Sequence, residues 1–487
     1  MNSLKRWVGA LHSSQLRLNT TAGVASGLIT GLTASVSYPT YLHFLGYEQY
    51  GLWLTISLLL ALTQFGNFGI TPAIIKLVAK EHGQQNIEGI ERYVSTALVI
   101  VGIGGCAVLG GAFAFRHALI AFLHLTGAQS AVAAHLAVFV GLLSLYALQI
   151  DALNAVLIGL GRLDLAVATQ CGMGLLTLGV SVCCFACGMG VVGLAVANLT
   201  GYVVLHMVTL LLIRKSIGTW GFRLRAFDCR LIPELLTVGG TMVSCSVMNL
   251  MLAPLSKMML ARHLGTASVP TFEIAYNIAF RLRGLLESGF RAIMPEVSRL
   301  SATDTPEANT RIRSVQRRAE WLVFTAALPM FASVVVFCTP ILHLWLRHRY
   351  RADIPTAVQI LAVGAFLSLL GVPAYHVLLG AGQLKQVLTA HALQASTNGL
   401  LLAALMFLGR RTLSTDLVAF TTTCGFAVGG LYTFIASRRY APKRHPLTTA
   451  ALQKIGGAET PAEVATEAKA PGQMVTMKLH CEPLPSE

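Results

Sequence analysis

The chain has 487 residues, of which 54% are hydrophobic and only 12% charged, with a formal net charge of +15. A soluble chain of this length would carry roughly a quarter charged residues, and a disordered one would be far less hydrophobic, so both classes are excluded and lipid is the expected solvent for most of the protein. In a membrane protein the positive balance points to loops beside anionic headgroups, not to nucleic acid, and the ten Cys, mostly within apolar stretches, read as small buried hydrophobes.

A membrane-spanning helix needs about 20 mostly apolar residues. That ruler predicts an all-α chain with twelve spans, near 20 to 44, 50 to 73, 93 to 115, 131 to 158, 164 to 187, 190 to 213, 233 to 261, 271 to 295, 321 to 346, 355 to 379, 386 to 408 and 415 to 436. Residues 1–19 are too polar for a signal-peptide core and read as an uncleaved cytoplasmic or interfacial lead-in, with Trp7, Val8 and Leu11 beside Lys5 and Arg6. Six spans over 20–213 form a first lobe and six over 233–436 a second, joined by a basic cytoplasmic linker, 214–232. Residues 437–487 read as a cytoplasmic tail, largely disordered because it lacks periodic apolar residues.

Orientation follows from the loops. The odd-to-even connections hold seven Lys and Arg against 25 on the opposite side, or 23 without the distant Lys469 and Lys478. The positive-inside rule therefore predicts both termini in the cytoplasm.

The sequence also repeats itself. Val156-Leu157-Ile158-Gly159-Leu160-Gly161-Arg162-Leu163 recurs as Val377-Leu378-Leu379-Gly380-Ala381-Gly382-Gln383-Leu384, and Leu45-Gly46 closes the first span as Leu264-Gly265 closes the seventh. Offsets of 221 and 219 predict two lobes in the same orientation, related by an axis along the membrane normal, as in transporters that rock one half against the other. On the first span Gly23, Gly27 and Gly31 predict close approach of a neighbouring helix.

Soluble catalytic motifs are nearly absent, and no cofactor or metal is expected. Gly188-x-Gly190-x-x-Gly193 matches a dinucleotide fingerprint but lies between two spans with no strand before it, and Cys184-x-x-Cys187 lacks a second ligand pair. The eighth span is different. It carries Glu273, Arg281, Arg283, Glu287 and Arg291, each of which would cost about 2.5–3.5 kcal/mol against lipid. At 100° per residue all fall on one half of the helix, and Arg283, Glu287 and Arg291 stand four apart. This surface is either a neutralised packing seam or the wall of a wet cavity for an anionic substrate, since arginine forks onto phosphate oxygens.

Other polar groups in the spans are fewer. Lys257 on the seventh span either joins this basic surface or snorkels to the outer interface. On the second span Gln64, Asn67 and Thr71 share a face and Lys76 follows, a candidate wall of the other lobe. Asp151 on the fourth span, near Ser144 and Asn154, is a lone acid: a proton or ion site, an arginine partner or an inter-helix hydrogen bond. His135, His206, His376 and His391 read as satisfied core histidines.

Leu45-Gly46-Tyr47-Glu48-Gln49-Tyr50-Gly51-Leu52-Trp53, Asn67-Phe68-Gly69, Gly159-Leu160-Gly161-Arg162 and Leu264-Gly265 followed by Phe272-Glu273-Ile274-Ala275 together resemble the polysaccharide transport branch of the multidrug/oligosaccharidyl-lipid/polysaccharide exporter superfamily, through about residue 436. The resemblance implies a bacterial inner-membrane flippase of the O-antigen or exopolysaccharide type, moving undecaprenyl-diphosphate-linked glycan to the periplasmic leaflet by alternating access. It implies as partners that lipid-diphosphate-linked glycan, membrane lipids and a polysaccharide polymerase, and maps the family's basic cavity onto Arg281, Arg283 and Arg291, with Lys76 and Lys257. Relatives often carry an acid where Asn67 stands and another just before the basic residue of the seventh span, where this chain has Ser256-Lys257. Their loss weakens expected cation coupling. Rival readings are a cation-coupled drug antiporter, which should offer membrane carboxylates, a peptidoglycan-precursor flippase, which usually has two further spans, and a membrane polysaccharide polymerase or ligase. The outward connections are short for such an enzyme, so no catalytic activity is expected.

Overall fold

The computed structural model describes residues 2–439 apart from 63–66, 68, 126, 221–222, 238–247, 249–251, 291–292, 302–304 and 408–412, all within a unit that ends at Tyr440. The expected tail lies outside the described residues, as do the side chains of the lead-in.

The described chain is helical throughout, in the order the apolar runs predict. Helix α1 (Asn2–Ile56) joins the lead-in, the first span and the start of the second, with a break at Gly46. The second span is not one helix: it tightens over Ser57–Leu62 and resumes as α2 (Ile70–Gly83) after the left-handed Gly69. Next come α3 (Ile87–Phe122), α4 (Gly127–Gly159), α5 (Leu163–Ala186) and α6 (Gly190–Ile217), each long and apolar enough to cross a bilayer alone. The seventh span ends as α7 (Ala253–Leu264), and the eighth is α8 (Val269–Phe290) followed by α9 (Ile293–Ser301). An amphipathic helix α10 (Pro306–Leu322) runs through one wide turn into α11 (Leu328–Leu346). Helices α12 (Asp353–Leu370), α13 (Val372–Gly380), α14 (Leu384–Phe407) and α15 (Thr415–Arg439) complete the fold. The break between α12 and α13 has a local cause. Pro373 cannot continue the hydrogen-bond ladder, and Gly371 lies against the backbone of Gly430 where a Cβ would not fit.

The two halves repeat at the level of backbone torsions. Gly46 (φ 69°, ψ 179°) and Gly265 (φ 84°, ψ 162°) adopt a conformation essentially reserved for glycine. Gly161 and Gly382 have φ of 77° and 71°, and each closes its helix with the same bond across five residues, Arg162 N–H to Leu157 O and Gln383 N–H to Leu378 O. Just before these caps, Gly159 packs on Val78 and the Ile75 carbonyl, and Gly380 on Val297 and the Met294 carbonyl.

Two apolar cores organise the packing. One joins Leu42, Trp53 and Leu194 of the first half to Phe272, Ile274 and Leu361 of the second, so it crosses between halves at the end where α1 breaks. The other, around Ile74, Val94 and Leu153, lies at the opposite end of the first half and takes in Leu235, just past the linker. The bonds that tie the halves together at the first end are specific. Arg262 Nη1 donates to Phe122 O at 2.8 Å, Tyr47 Oη to Arg349 O at 2.6 Å, and Arg349 Nη2 to His43 O at 3.0 Å. Gly51 approaches Thr266 so closely that a Cβ there would overlap its carbonyl. Toward the other end Leu28, Leu32 and Val36 of α1 are exposed, and the linker folds back on the first half, where Arg223 N donates to Ser95 Oγ. The halves thus meet at one end and splay at the other.

Candidate functional site

The splayed space is walled by α1, α5, α6 and α8. Helix α1 is amphipathic in an unusual way, because its polar face carries hydroxyls that bond to its own preceding turn: Thr33 to Ile29 O, Ser37 to Thr33 O and Ser35 to Gly31 O. These hydroxyls stay compatible with an apolar surround while presenting oxygen to the space. Gly27 and Gly31 also face it, and a Cβ at either would meet no atom of the described residues within 4 Å. For these two the expectation of close helix packing is therefore corrected: they widen a chamber, while Gly23 lies outside the described side chains.

Two chambers open off α1, of about 310 and 330 Å³. Tyr38 and Arg281 line both. The first extends to Gln170 and Asn198 of the first half, and the second to Asn277 and Trp345, whose indole donates to Ser35 O at 2.7 Å. The polar residues of α1, Gln170, Asn198 and Tyr38 are absent from the sequence-based site. The signal for them is the i, i+3, i+7 spacing of Thr30, Thr33 and Ser37, overshadowed by the glycines.

Helix α8 has two chemical faces. Phe272, Tyr276 and Phe280 stack with centroids 5.9 and 4.3 Å apart, and Phe280 lies 4.3 Å from Phe426 of α15. This aromatic column anchors the helix to its own half. Glu273, Asn277 and Arg281 form the row at four-residue spacing toward α1. Lys257 forms a mostly buried ion pair with Glu273, whose other oxygen accepts from Asn277 Nδ2 at 2.9 Å. Lys257 therefore reaches inward, not to the interface, and its charge is compensated. The acid missing beside it in sequence comes from the neighbouring helix, while Ser256 is buried against Thr422 Oγ1 at 2.9 Å.

The arginines of the eighth span separate. Arg281 is exposed and lines both chambers, with no ion pair or hydrogen bond among the described residues. Arg283 turns to the other side of α8, where its Nη1 pairs with Glu287 at 3.0 Å, its Nε is buried with no partner among the described residues and its guanidinium lies 6.0 Å from the Phe280 ring. Arg291 lies outside the described residues, as does Gln64. The structure thus places Arg281 and Asn277 at the inter-half space, ties Glu273 to Asn277 and to Lys257 beside them, and leaves Arg283 and Glu287 as a half-buried pair.

The first-half candidates are dispersed. Asn67 caps the start of α2: its carbonyl accepts from Ile70 N at 2.8 Å, its Oδ1 from Thr71 N at 3.2 Å, and its Nδ2 donates to Thr71 Oγ1 at 2.9 Å. Lys76 is exposed on α2 and lines neither chamber. Among the described residues, Asp151, half-buried on α4, has no ion pair, and the buried side chain of Asn154 one turn on has no hydrogen bond. Gly188 and Gly190, at φ 76° and 54°, form the tight link between α5 and α6.

The profile of a family described as polysaccharide biosynthesis protein matches residues 16–301. No curated protein matches the chain. Among solved structures, an inward-facing conformation of a multidrug resistance MATE family transporter of the MOP superfamily aligns at 17% identity with a TM-score of 0.67, covering 90% of this chain and 96% of that one. A point mutant of the Vibrio cholerae MATE transporter VcmN aligns at 18% identity and 0.62, covering 88% and 98%. An outward-facing MATE family transporter aligns at 17% identity and 0.55, covering 91% and 95%. The shared feature is the fold, a multi-pass helical bundle.

Proposed function

Because the chain belongs to the polysaccharide biosynthesis protein family, we propose that it is a flippase carrying a lipid-diphosphate-linked oligosaccharide across the bacterial inner membrane, from the cytoplasmic to the periplasmic leaflet, for O-antigen or exopolysaccharide export. The observation that carries this reading is Arg281, a cation without a carboxylate partner among the described residues, at the junction of two chambers between the halves. A diphosphate head cannot cross ~30 Å of hydrocarbon alone, whereas its polyprenyl tail can remain in lipid. An arginine in a hydroxyl-lined space offers the head a forked donor, and the hydroxyls and amides of α1, α5 and α6 suit sugar. The end tied by Arg262 and Tyr47 is then periplasmic, the splayed end cytoplasmic, and both termini cytoplasmic. Asp151, without an ion pair among the described residues, is the acid available for a coupling cation.

The direct test is surface polysaccharide in cells carrying Arg281→Ala. We expect normal membrane levels with export reduced about tenfold or more, and partial rescue by Arg281→Lys, which keeps the charge but not the fork. Full export by a normally produced alanine variant would overturn the reading. Direction has its own test: cysteines at Gln129 and His348 should react with an impermeant reagent from the periplasm, and one at Glu307 should not.

A further inference from the structure

A cleft of about 910 Å³ lies between α10, α12 and α15, and all its lining among the described residues belongs to the second half. Its floor is Leu367 and Leu370, at the end of α12. Its sides are Trp321 and Phe324 on one edge and Leu431 and Phe434 on the other. Trp321, Phe324 and Leu431 are 62%, 51% and 59% exposed, so within these spans they meet acyl chains and not protein. The mouth is basic. Arg313 and Arg317 stand one turn apart on the same stripe of α10 as Trp321, exposed and without a bonded partner among the described residues. Arg438 stacks on Phe434 at 4.0 Å and is only loosely held by Glu320, at 3.7 Å, which is itself engaged by Gln316 Nε2 at 2.8 Å.

We propose that this cleft is a binding site for an anionic glycerophospholipid of the leaflet that α10 faces, with the headgroup phosphate between Arg313 and Arg317 and an acyl chain along Leu367, Leu370 and Leu431. Charge and shape select this occupant together. A free phosphate would use the arginines and leave the apolar walls uncovered. A zwitterionic lipid would fill the walls but gain little from three arginines opposed by one glutamate. Basic pockets between membrane helices with apolar continuations bind anionic lipid heads, and each arginine near the surface contributes several-fold in affinity. Trp321 stands one turn beyond Arg317, where an indole marks the boundary between headgroup and hydrocarbon. The volume lies within the range of specific ligand pockets. The cleft shares no described lining residue with the two chambers at Arg281, so it adds a structural lipid and does not restate the transport path.

The test is native mass spectrometry of the purified full-length protein with dioleoyl phosphatidylglycerol and dioleoyl phosphatidylcholine in equal amounts. We expect about tenfold or greater retention of phosphatidylglycerol, lost in Arg313→Gln/Arg317→Gln, whose sites are exposed and do not threaten the fold. Leu431→Trp, which fills the cleft, should lower retention of both lipids. As a check independent of that variant, a photoactivatable phosphatidylglycerol should label Trp321 in the wild-type protein. Equal retention of the two lipids, undiminished preference in the double glutamine variant, or displacement by inorganic phosphate would overturn the proposal. So would undecaprenyl phosphate displacing phosphatidylglycerol at equal concentration, since the cleft would then belong to the transported lipid.

Discussion

At an offset of 219 residues, Tyr38 of the first half corresponds to Lys257 of the second, and Leu54 to Glu273. The two pairs stand at equivalent distances along the chain from breaks of nearly equal geometry, at Gly46 and Gly265, and Tyr38 lines the space between halves. One is a neutral aromatic and an aliphatic; the other is an ion pair mostly withdrawn from solvent. Backbone joints have thus been kept in both halves, where φ/ψ leaves only glycine as an answer, while the side chains between them have diverged. The first half presents hydroxyls and amides, and the second presents charge. Within the second half only part of that charge is turned toward the space: Lys257 and Arg283 answer Glu273 and Glu287, and Arg281 has no such partner among the described residues.

The largest effect expected from this difference is on stability. Lys257→Met would leave Glu273 mostly buried with its charge uncompensated, at a cost of about 3–5 kcal/mol. Adding Glu273→Gln to that variant should recover most of the loss, because a neutral amide can still accept from Asn277. Tyr38→Phe, the change at the corresponding place, should shift stability by less than ~1 kcal/mol. Thermal unfolding in detergent would measure all three. If the single and double variants at Lys257 fell equally, the ion pair would not be the reason for the residue.

A smaller effect tests what the halves have in common. Gly46→Ala and Gly265→Ala each force a Cβ into torsions near φ 70–85° and ψ 160–180°, with an expected cost of about 1–3 kcal/mol. The two should be alike. An alanine tolerated at one joint and not at the other, in the same unfolding assay, would show that the joints bear different loads and that their likeness is only geometric.

The apolar runs make the helix order legible, and the glycine landmarks make the repeat legible, because hydrophobic length and left-handed caps are local properties of sequence. The break of the second span before Gly69 is not legible, since an uninterrupted apolar run from Leu58 to Leu62 carries no sign of a tightened turn. Of the candidate site, the charged helix is legible and its partners are so only in part. Angular position places Arg281 and Arg283 on one half of α8, but 160° separates them, and only packing decides which edge meets α1. Nothing local in the sequence shows that Lys257 and Glu273, sixteen residues and one loop apart, would find each other. The hydroxyl row of α1 is visible as spacing and carries too little chemistry of its own to stand out against a charged helix.

The smallest effect concerns Asn67, the residue for which a structural and a functional role predict opposite outcomes. As a cap it holds the first turn of α2 through the Thr71 amide and hydroxyl. Asn67→Ala removes that acceptor and should cost about 1 kcal/mol. Asn67→Asp keeps an acceptor oxygen and places a negative charge at a helix start, where the backbone dipole favours it, so stability should be retained or slightly raised. If Asn67 only caps, export should follow stability: nearly normal in the aspartate variant and modestly reduced in the alanine variant. If it instead contacts an anionic cargo, the aspartate repels that cargo, and export should collapse in a protein that is fully stable. Polysaccharide output plotted against unfolding temperature for the two variants separates these cases. The bonds to Thr71 predict the first, which would leave the contribution of the first half to cargo binding with α1, Gln170 and Asn198.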